Sequence, residues 1–314
     1  MSADRIAVLF PGQGSQFEGM ADPWNAHPAA APVLAETSEA VGRDLVDGCR
    51  DPEALATTAF VQPALLACGV AAFRVLEDEG IGPAGVAGHS LGEFSAVVAA
   101  GALDLHEAIE VVLVRGEAMQ RAGEERPGTM TALLGVGTEE AAGICAETRG
   151  DDVLLVANEN SPAQVVLSGS VPAIERAEAL AKERKLRAVR LNVAGAFHSP
   201  LMEPAVSAIE QRLDQATFTA PRFPIAENVA GALVADPDGL RILLKRHVVS
   251  PVRWESCVRA LAAAGVTSFL EAGPGDVLTK LMKRIVPGAA ARAVGSPEGA
   301  RAAAHDPPRD EAVR

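Results

Sequence analysis

The sequence predicts an α/β protein built on a largely parallel sheet and interrupted by a small inserted subdomain. Three observations predict it. Short apolar runs alternate with stretches whose apolar residues recur at helical spacing, so strands and helices succeed one another along the chain. A serine stands between two glycines in Gly88-His89-Ser90-Leu91-Gly92, after the apolar pair Val86-Ala87 and before the helix-like residues 94–100. Residues 129–195 then carry a strand and helix rhythm of their own.

Taken in order, residues 5–10 read as a buried strand ending in the turn-rich Pro11-Gly12-Gln13-Gly14-Ser15-Gln16. Residues 62–76 show helical apolar spacing, and the second strand with its Ser90 turn follows. A helix over 105–121 comes next, and a polar stretch at 123–128 breaks the pattern. In the insert, 130–136 is a strand and 138–147 a helix with Thr138 as N-cap. Strands at 153–157 and 164–167 are joined across Asn158-Glu159-Asn160-Ser161-Pro162. Ser170 caps a helix carrying Ile174, Ala177 and Leu180, and 186–193 is the last strand. That order, β-α-β-β-α-β, is the ferredoxin-like pattern. The chain returns with a strand at 223–229, helices at 240–247 and 256–264, and a strand at 268–271. Gly273-Pro274-Gly275 leads into a helix over 277–285. Residues 1–128 and 196–296 are therefore expected to form the large unit and 129–195 the small one. Residues 297–314, dominated by Ala, Pro and charge, read as a frayed, disordered tail.

A chain of 314 residues can bury a large core. No uninterrupted apolar run reaches membrane-spanning length, and the N-terminus has no charged region followed by an apolar stretch, so a soluble cytoplasmic protein is expected without membrane contact. The four cysteines (Cys49, Cys68, Cys145, Cys257) include no C-x-x-C pair and read as reduced core thiols. A net charge of −13 argues against nucleic-acid binding, and an acidic protein partner would need a local basic patch. Neither G-x-x-x-x-G-K-[ST] nor G-x-G-x-x-G occurs, which removes the phosphate-loop readings; no cofactor or metal is expected.

The serine turn has the form of a nucleophile elbow. Glycines at −2 and +2 remove the Cβ atoms that would collide where a strand reverses into a helix. The corner hydroxyl is pushed into a cleft, facing the N–H groups that open the helix, where it can attack a carbonyl. It needs a base. Of the six histidines, His27, His106 and His305 lie in polar or terminal surroundings, and His89 should point away from its neighbour Ser90. His198 falls in Gly195-Ala196-Phe197-His198-Ser199-Pro200, where the small unit ends and a cleft should form; it is either the base or an ordinary loop histidine. Arg115 borders the apolar stripe of Val112 and Met119. It either snorkels to the surface or aims its guanidinium into a dry cleft, where it would suit a carboxylate. Gln13 follows the first strand and is either a solvated turn residue or an oxyanion donor through its N–H.

Together these segments resemble the malonyl-CoA:acyl carrier protein transacylase family, including the acyltransferases of polyketide synthases. The likeness runs from about Arg5 to Ile285. It is carried by Pro-Gly-Gln-Gly-Ser-Gln at 11–16, Gln62-Pro63-Ala64-Leu65, Gly-His-Ser-Leu-Gly-Glu at 88–93, Arg115-Gly116-x-x-Met119-Gln120, Gly195-Ala196-Phe197-His198-Ser199, Ser250-Pro251-Val252-Arg253-Trp254 and Gly273-Pro274-Gly275. The resemblance implies an α/β-hydrolase-like large subdomain. It implies Ser90 as the acylated nucleophile, His198 as its base, Gln13 and the Leu91 amide as the oxyanion hole, and Arg115 as the malonyl-carboxylate ligand. In this family a main-chain carbonyl orients the histidine, and the residue supplying it is usually Gln; here His247 fills that position. Phe197 resembles the malonyl-selecting pattern, since its ring would crowd an α-substituent.

The reaction so implied is ping-pong transfer of malonyl from CoA to the pantetheine thiol of an acyl carrier protein, by a monomer. Candidate docking charges for an acidic carrier are Lys182, Arg184, Lys185, Arg187 and Arg190, with Lys280, Lys283 and Arg284. The alternatives are an acyl-carrier-protein hydrolase of the same fold, a transferase for another extender unit, a simple esterase and a non-catalytic docking scaffold. Arg115 counts against the hydrolase. The absence of an assignable Ser…Asp…His order counts against the esterase, and the joint presence of Ser90 and His198 against the scaffold.

Overall fold

A computed structural model describes residues 5–306 and 308. Its ten strands are β1 (Ile6–Phe10), β2 (Gly85–Gly88), β3 (Gly128–Leu134), β4 (Leu154–Ser161), β5 (Gln164–Ser170), β6 (Arg187–Arg190), β7 (Ile225–Glu227), β8 (Ala232–Val234), β9 (Ser268–Ala272) and β10 (Ala290–Val294). Six make one sheet in the order β10-β9-β1-β2-β7-β8, parallel except for the β7–β8 edge. The other four make an antiparallel sheet in the order β4-β5-β3-β6. This is an α/β fold with a small four-stranded subdomain.

The large sheet is covered on both faces, as its sequence requires. Ala7, Val8, Leu9 and Phe10 alternate in direction yet are all fully buried, a continuous apolar run of the kind central parallel strands need. The helix Thr58–Asp78 packs on one face among Phe10, Val86 and Phe94. It is long and apolar enough to cross a membrane, yet 89% of its apolar window lies inside the protein, which makes it a core helix. Trp254, Val258 and Leu261 of the helix Trp254–Ala263 cover the other face, with Leu278 and Met282. The small subdomain has its own core of Leu133, Ile144, Val165, Leu167 and Ile174.

Several elements differ from the sequence reading. The helices Ala31–Val41 and Glu203–Gln215 carry only a few buried residues on polar surfaces, so their periodicity is faint. Thr138 begins its helix, and the N-cap is Gly137. Strand β4 continues through Ser161, across residues read as a loop; register shifts at Val156/Asn158 and Glu159/Ser161 explain its irregular alternation. The extension matters because the backbone of Ala157 and Glu159 bonds both sides of Val252, stitching the small sheet to the large subdomain.

The expected frayed tail is corrected in part. Pro297–His305 is a helix whose N-cap, Ser296, accepts from the Gly299 N–H. It buries Ala300 and Ala303 against the core, although a composition of Ala, Arg and Glu gives no apolar stripe. The rest of the tail, apart from Asp306 and Pro308, lies outside the described residues. Pro308 offers its carbonyl to the buried Ser268 hydroxyl at 2.7 Å.

Ending the chain at Gly295 should therefore be measurable. Two buried methyl groups are worth about 1.6 kcal/mol at roughly 0.8 each, which lowers the melting temperature of a chain this long by about 2–3 °C. A thermal scan of the truncated chain checks this, and an unchanged midpoint would contradict it.

Candidate active site

The Ser90 elbow is set by close backbone approach. β1 and β2 pair in parallel with Phe10 opposite Gly88, and the helix Gly92–Ala99 starts directly beyond the turn. A Cβ on Gly88 would lie 1.9 Å from the Gly92 carbonyl carbon, and one on Gly92 would lie 2.1 Å from the Phe10 oxygen. Only glycine fits at either place. Ser90 is thereby held at φ +51°, a left-handed conformation that a side-chain-bearing residue adopts at a cost.

His198 is held in the same left-handed region, at φ +58°. Its turn is fixed by the Ser199 hydroxyl, which donates to Ala196 O at 2.6 Å and accepts from Leu201 N–H. The imidazole is 2% exposed, and its Nε2 lies 2.7 Å from Ser90 Oγ. Its Nδ1 lies 3.0 Å from both the His247 and Ser250 carbonyl oxygens. Carbonyls only accept, so the proton belongs on Nδ1 and the Nε2 lone pair faces the serine hydroxyl. The two ring nitrogens are thus assigned opposite tasks by their neighbours.

Arg115 lies beside the pair. Its Nη1 donates to Gln62 Oε1 at 2.6 Å and its Nη2 to Ser90 Oγ at 3.3 Å, with the Phe94 ring 5.7 Å from the guanidinium carbon. It is 1% exposed and has no carboxylate ion-pair partner among the described residues. Burial lowers its pKa to about 10, which leaves it cationic at neutral pH. The buried Glu93 acts on this cation only at a distance, with no direct ion pair among the described residues, so burial is costly and an anion entering the cleft would offset that cost. The cleft is a cavity of about 340 Å³ between the subdomains, lined by Gln13, Arg115, Met130, Asn158 and Phe197 around Ser90 and His198. The Gln13 and Leu91 N–H groups have no hydrogen-bond acceptor among the described residues, which leaves both free for an oxyanion.

Burial, reinforced by the positive charge of Arg115, pushes the His198 pKa down to about 3. The resting imidazole is therefore neutral, the form a base requires. Glu93 is pushed well up by burial and then by the neighbouring Glu227 carboxylate, so it is protonated more readily than an exposed carboxyl.

The structure brings Ser90, His198, Gln13, Leu91, Arg115 and Phe197 to one cleft and sets the His247 carbonyl behind His198. His89 turns away to Asn160 Oδ1 at 2.8 Å, as its position at the elbow predicts. Sequence reasoning missed four participants. Ser250 supplies a second carbonyl to His198. Asn228 accepts from Ser90 N–H and donates to Gly88 O, both at 2.8 Å, which braces the elbow from below. Gln62 steers Arg115, and Asn160 anchors His89. Gln62 and Ser250 stood in quoted motifs without a role; nothing local marked Asn228, and Asn160 was hidden in a strand read as a loop.

The acyl transferase domain family matches residues 8–301 of this chain. The site and fold thus define an acyltransferase with a serine nucleophile elbow. The malonyl CoA-acyl carrier protein transacylase of Escherichia coli K12 is 41% identical over 304 residues, covering 95% of this chain and 98% of that protein. The solved malonyl CoA-acyl carrier protein transacylase of Coxiella burnetii superposes with a TM-score of 0.93 at 34% identity, covering 96% of this chain and 97% of that one. A second solved structure, a type II polyketide synthase acyl-carrier protein in complex with its malonyl-transacylase, gives a TM-score of 0.92 at 38% identity, with 96% and 99% covered. The chain belongs to the malonyl-CoA:acyl carrier protein transacylase family.

The depressed pKa of His198 has a sign that can be checked. The imidazole stays neutral as pH falls through the ordinary histidine range and protonates only below it, so His198 should show no titration between pH 8 and pH 5 in histidine-selective NMR. A midpoint near 6.5 would contradict the buried, Arg115-facing site.

Proposed function

We propose that Ser90 carries the malonyl group from CoA to the pantetheine thiol of an acyl carrier protein, with His198 moving each proton. The activity is that of a malonyl-CoA:acyl carrier protein S-malonyltransferase, and the roles of individual residues follow from the geometry above. Ser90 Oγ attacks the thioester carbon as its proton passes to His198 Nε2, and the carbon–sulfur bond breaks. The CoA thiolate takes that proton from the imidazolium and leaves as the thiol. The carrier's thiol then gives its proton to His198 and attacks the seryl ester; Ser90 recovers the proton as the ester bond breaks. The Gln13 and Leu91 N–H groups hold the tetrahedral oxyanion in both halves.

The observation that carries the malonyl reading is Arg115, a buried guanidinium whose charge has no carboxylate partner among the described residues. Its planar fork suits the free malonyl carboxylate. Filling that position does more than bind. It neutralises the charge that disfavours imidazolium at His198, so malonyl itself raises the basicity of the group that must accept the Ser90 proton. Phe197, 6% exposed and lining the cavity, crowds the carbon between the two carbonyls and favours an unbranched acyl group.

For the carrier, Lys182, Lys185 and Arg187 remain as an exposed basic group on the small subdomain. Arg184 and Arg190, on the same stretch, are each held bidentately, by Glu147 and Glu178. Lys280 pairs with Asp276, which leaves Lys283 and Arg284 exposed on the helix Val277–Ile285 of the large subdomain. An acidic carrier would meet these exposed charges first. Four buried free cysteines fit a cytoplasmic setting.

Intact-protein mass spectrometry after mixing with malonyl-CoA tests this reading: an adduct on Ser90 that a carrier protein discharges is expected. Free malonate with no adduct would make the protein a hydrolase. Arg115→Ala should lower malonyl transfer by about 10- to 150-fold, the worth of a charged contact of about 1.5–3 kcal/mol, while acetyl transfer falls less. Equal losses for both acyl groups would remove the carboxylate role. Reversing Lys182, Lys185 and Arg187 to Glu should raise KM for the carrier several-fold and leave KM for malonyl-CoA unchanged.

A further inference from the structure

His247 does two things at once in this structure. It sits in the short turn His247–Val249 after the helix Pro237–Arg246, fully buried, and its carbonyl holds His198 Nδ1. Its imidazole points the other way, towards the underside of the nucleophile elbow. Nε2 lies 3.3 Å from Glu93 Oε2 and 3.4 Å from Asn228 Oδ1. That same Asn228 oxygen accepts the Ser90 N–H, and Glu93 Oε2 accepts the Asn228 N–H at 3.3 Å. The His247 ring also stands edge-on to His198, with centroids 5.3 Å apart and planes at 78°.

We infer that the His247 side chain is a positioning element that ties the turn holding the base to the elbow holding the nucleophile. The Ser90–His198 contact is made in the cleft, but the two segments are also fastened behind it: Ser90 N–H to Asn228, Asn228 to His247, and the His247 carbonyl to His198. Removing the imidazole unfastens that second connection and lets the 2.7 Å approach relax. Misplacement of a base by a fraction of an ångström slows proton transfer without weakening substrate binding. Where the family resembled by this sequence usually has Gln, a side chain bearing an N–H donor is kept, which suits the same task.

The proton must then be on Nε2. Asn228 Oδ1, within reach of Nε2, can only accept, and Glu93 Oε2 already accepts the Asn228 N–H, whereas Nδ1 is buried with no partner among the described residues. A bare lone pair there costs less than a bare N–H. The groups facing the ring are Glu93 with Glu227 beyond it, His198, His89 and Arg115; burial first, then the three cationic or potentially cationic neighbours, hold His247 well below the ordinary histidine range.

The inference rests on the acyl-transfer reading, and its test separates the two. Histidine-selective ¹⁵N spectra of the wild-type chain should show His247 neutral, protonated at Nε2 and bare at Nδ1; a proton on Nδ1 would overturn the proposal whatever the enzyme's activity. Rapid-quench acylation per titrated Ser90 should fall about tenfold in His247→Leu, with KM for malonyl-CoA unchanged within twofold, and His247→Gln should recover most of the loss. Combined with Asn228→Ala, His247→Leu should cost no more than the worse single change, because both cut one connection. Wild-type acylation in a folded His247→Leu, or losses that multiply in the double variant, would refute it. If His247→Leu does not fold, the spectrum and a His247→Gln acylation rate within about threefold of wild type decide the matter, a larger loss counting against it. Failure of the wild-type chain to form any Ser90 adduct would instead remove the acyl-transfer reading and leave the tautomer standing.

Discussion

The hydrogen bond between Ser90 Oγ and His198 Nε2 joins residues 108 positions apart, and each end of it is held in a left-handed backbone conformation. Neither residue would choose that conformation alone, and the surrounding structure imposes it. For Ser90 the constraint is contact between β1, β2 and the following helix, possible only because Gly88 and Gly92 have no side chains. For His198 it is the Ser199 turn and the two carbonyls that clasp Nδ1. The fold is in this sense a device for presenting one hydroxyl to one imidazole at 2.7 Å across a cleft between two sheets.

A backbone carbonyl pair in place of a carboxylate changes the electrostatics of the base. A carboxylate beside Nδ1 would stabilise imidazolium at rest; dipoles do so far less, and burial together with Arg115 drives the resting pKa down. The site instead leaves its positive charge on Arg115 until a dicarboxylic acyl group arrives. Beneath the elbow, Glu93 and Glu227 lie against each other in the core, both pushed upward by burial, so they share a proton more easily than they carry two charges. One shared proton still leaves a single negative charge beneath the elbow, and the Glu93 carboxyl is the one whose charge acts on Arg115.

Much of this was legible in the sequence because its signals are short-range. The elbow is five consecutive residues, and the alternation of apolar runs gives the parallel sheet. The ferredoxin-like order of the insert follows from four strands with clear β-branched or apolar content, and the helix Val277–Ile285 falls where its periodicity puts it. What escaped was set by distant contacts or by small residues. Gln62 meets Arg115 across 53 positions, and Asn228 meets Ser90 across 138. The C-terminal helix buries only alanine methyls, which carry no hydrophobic stripe. Residues 158–161 look like a turn because Asn and Ser dominate, yet they continue β4 through two register shifts and place Asn160 against His89. The carbonyl of Ser250 could not be read at all, since any residue supplies one.

The central claim is that His198, oriented by main-chain carbonyls alone, takes the proton from Ser90. Single-turnover acylation of Ser90 by malonyl-CoA in His198→Ala measures it most directly. The rate constant should fall by about 10²–10⁴, the range for a lost general base, while the substrate still binds. Acylation at the wild-type rate would mean that another group activates the serine and would contradict the account.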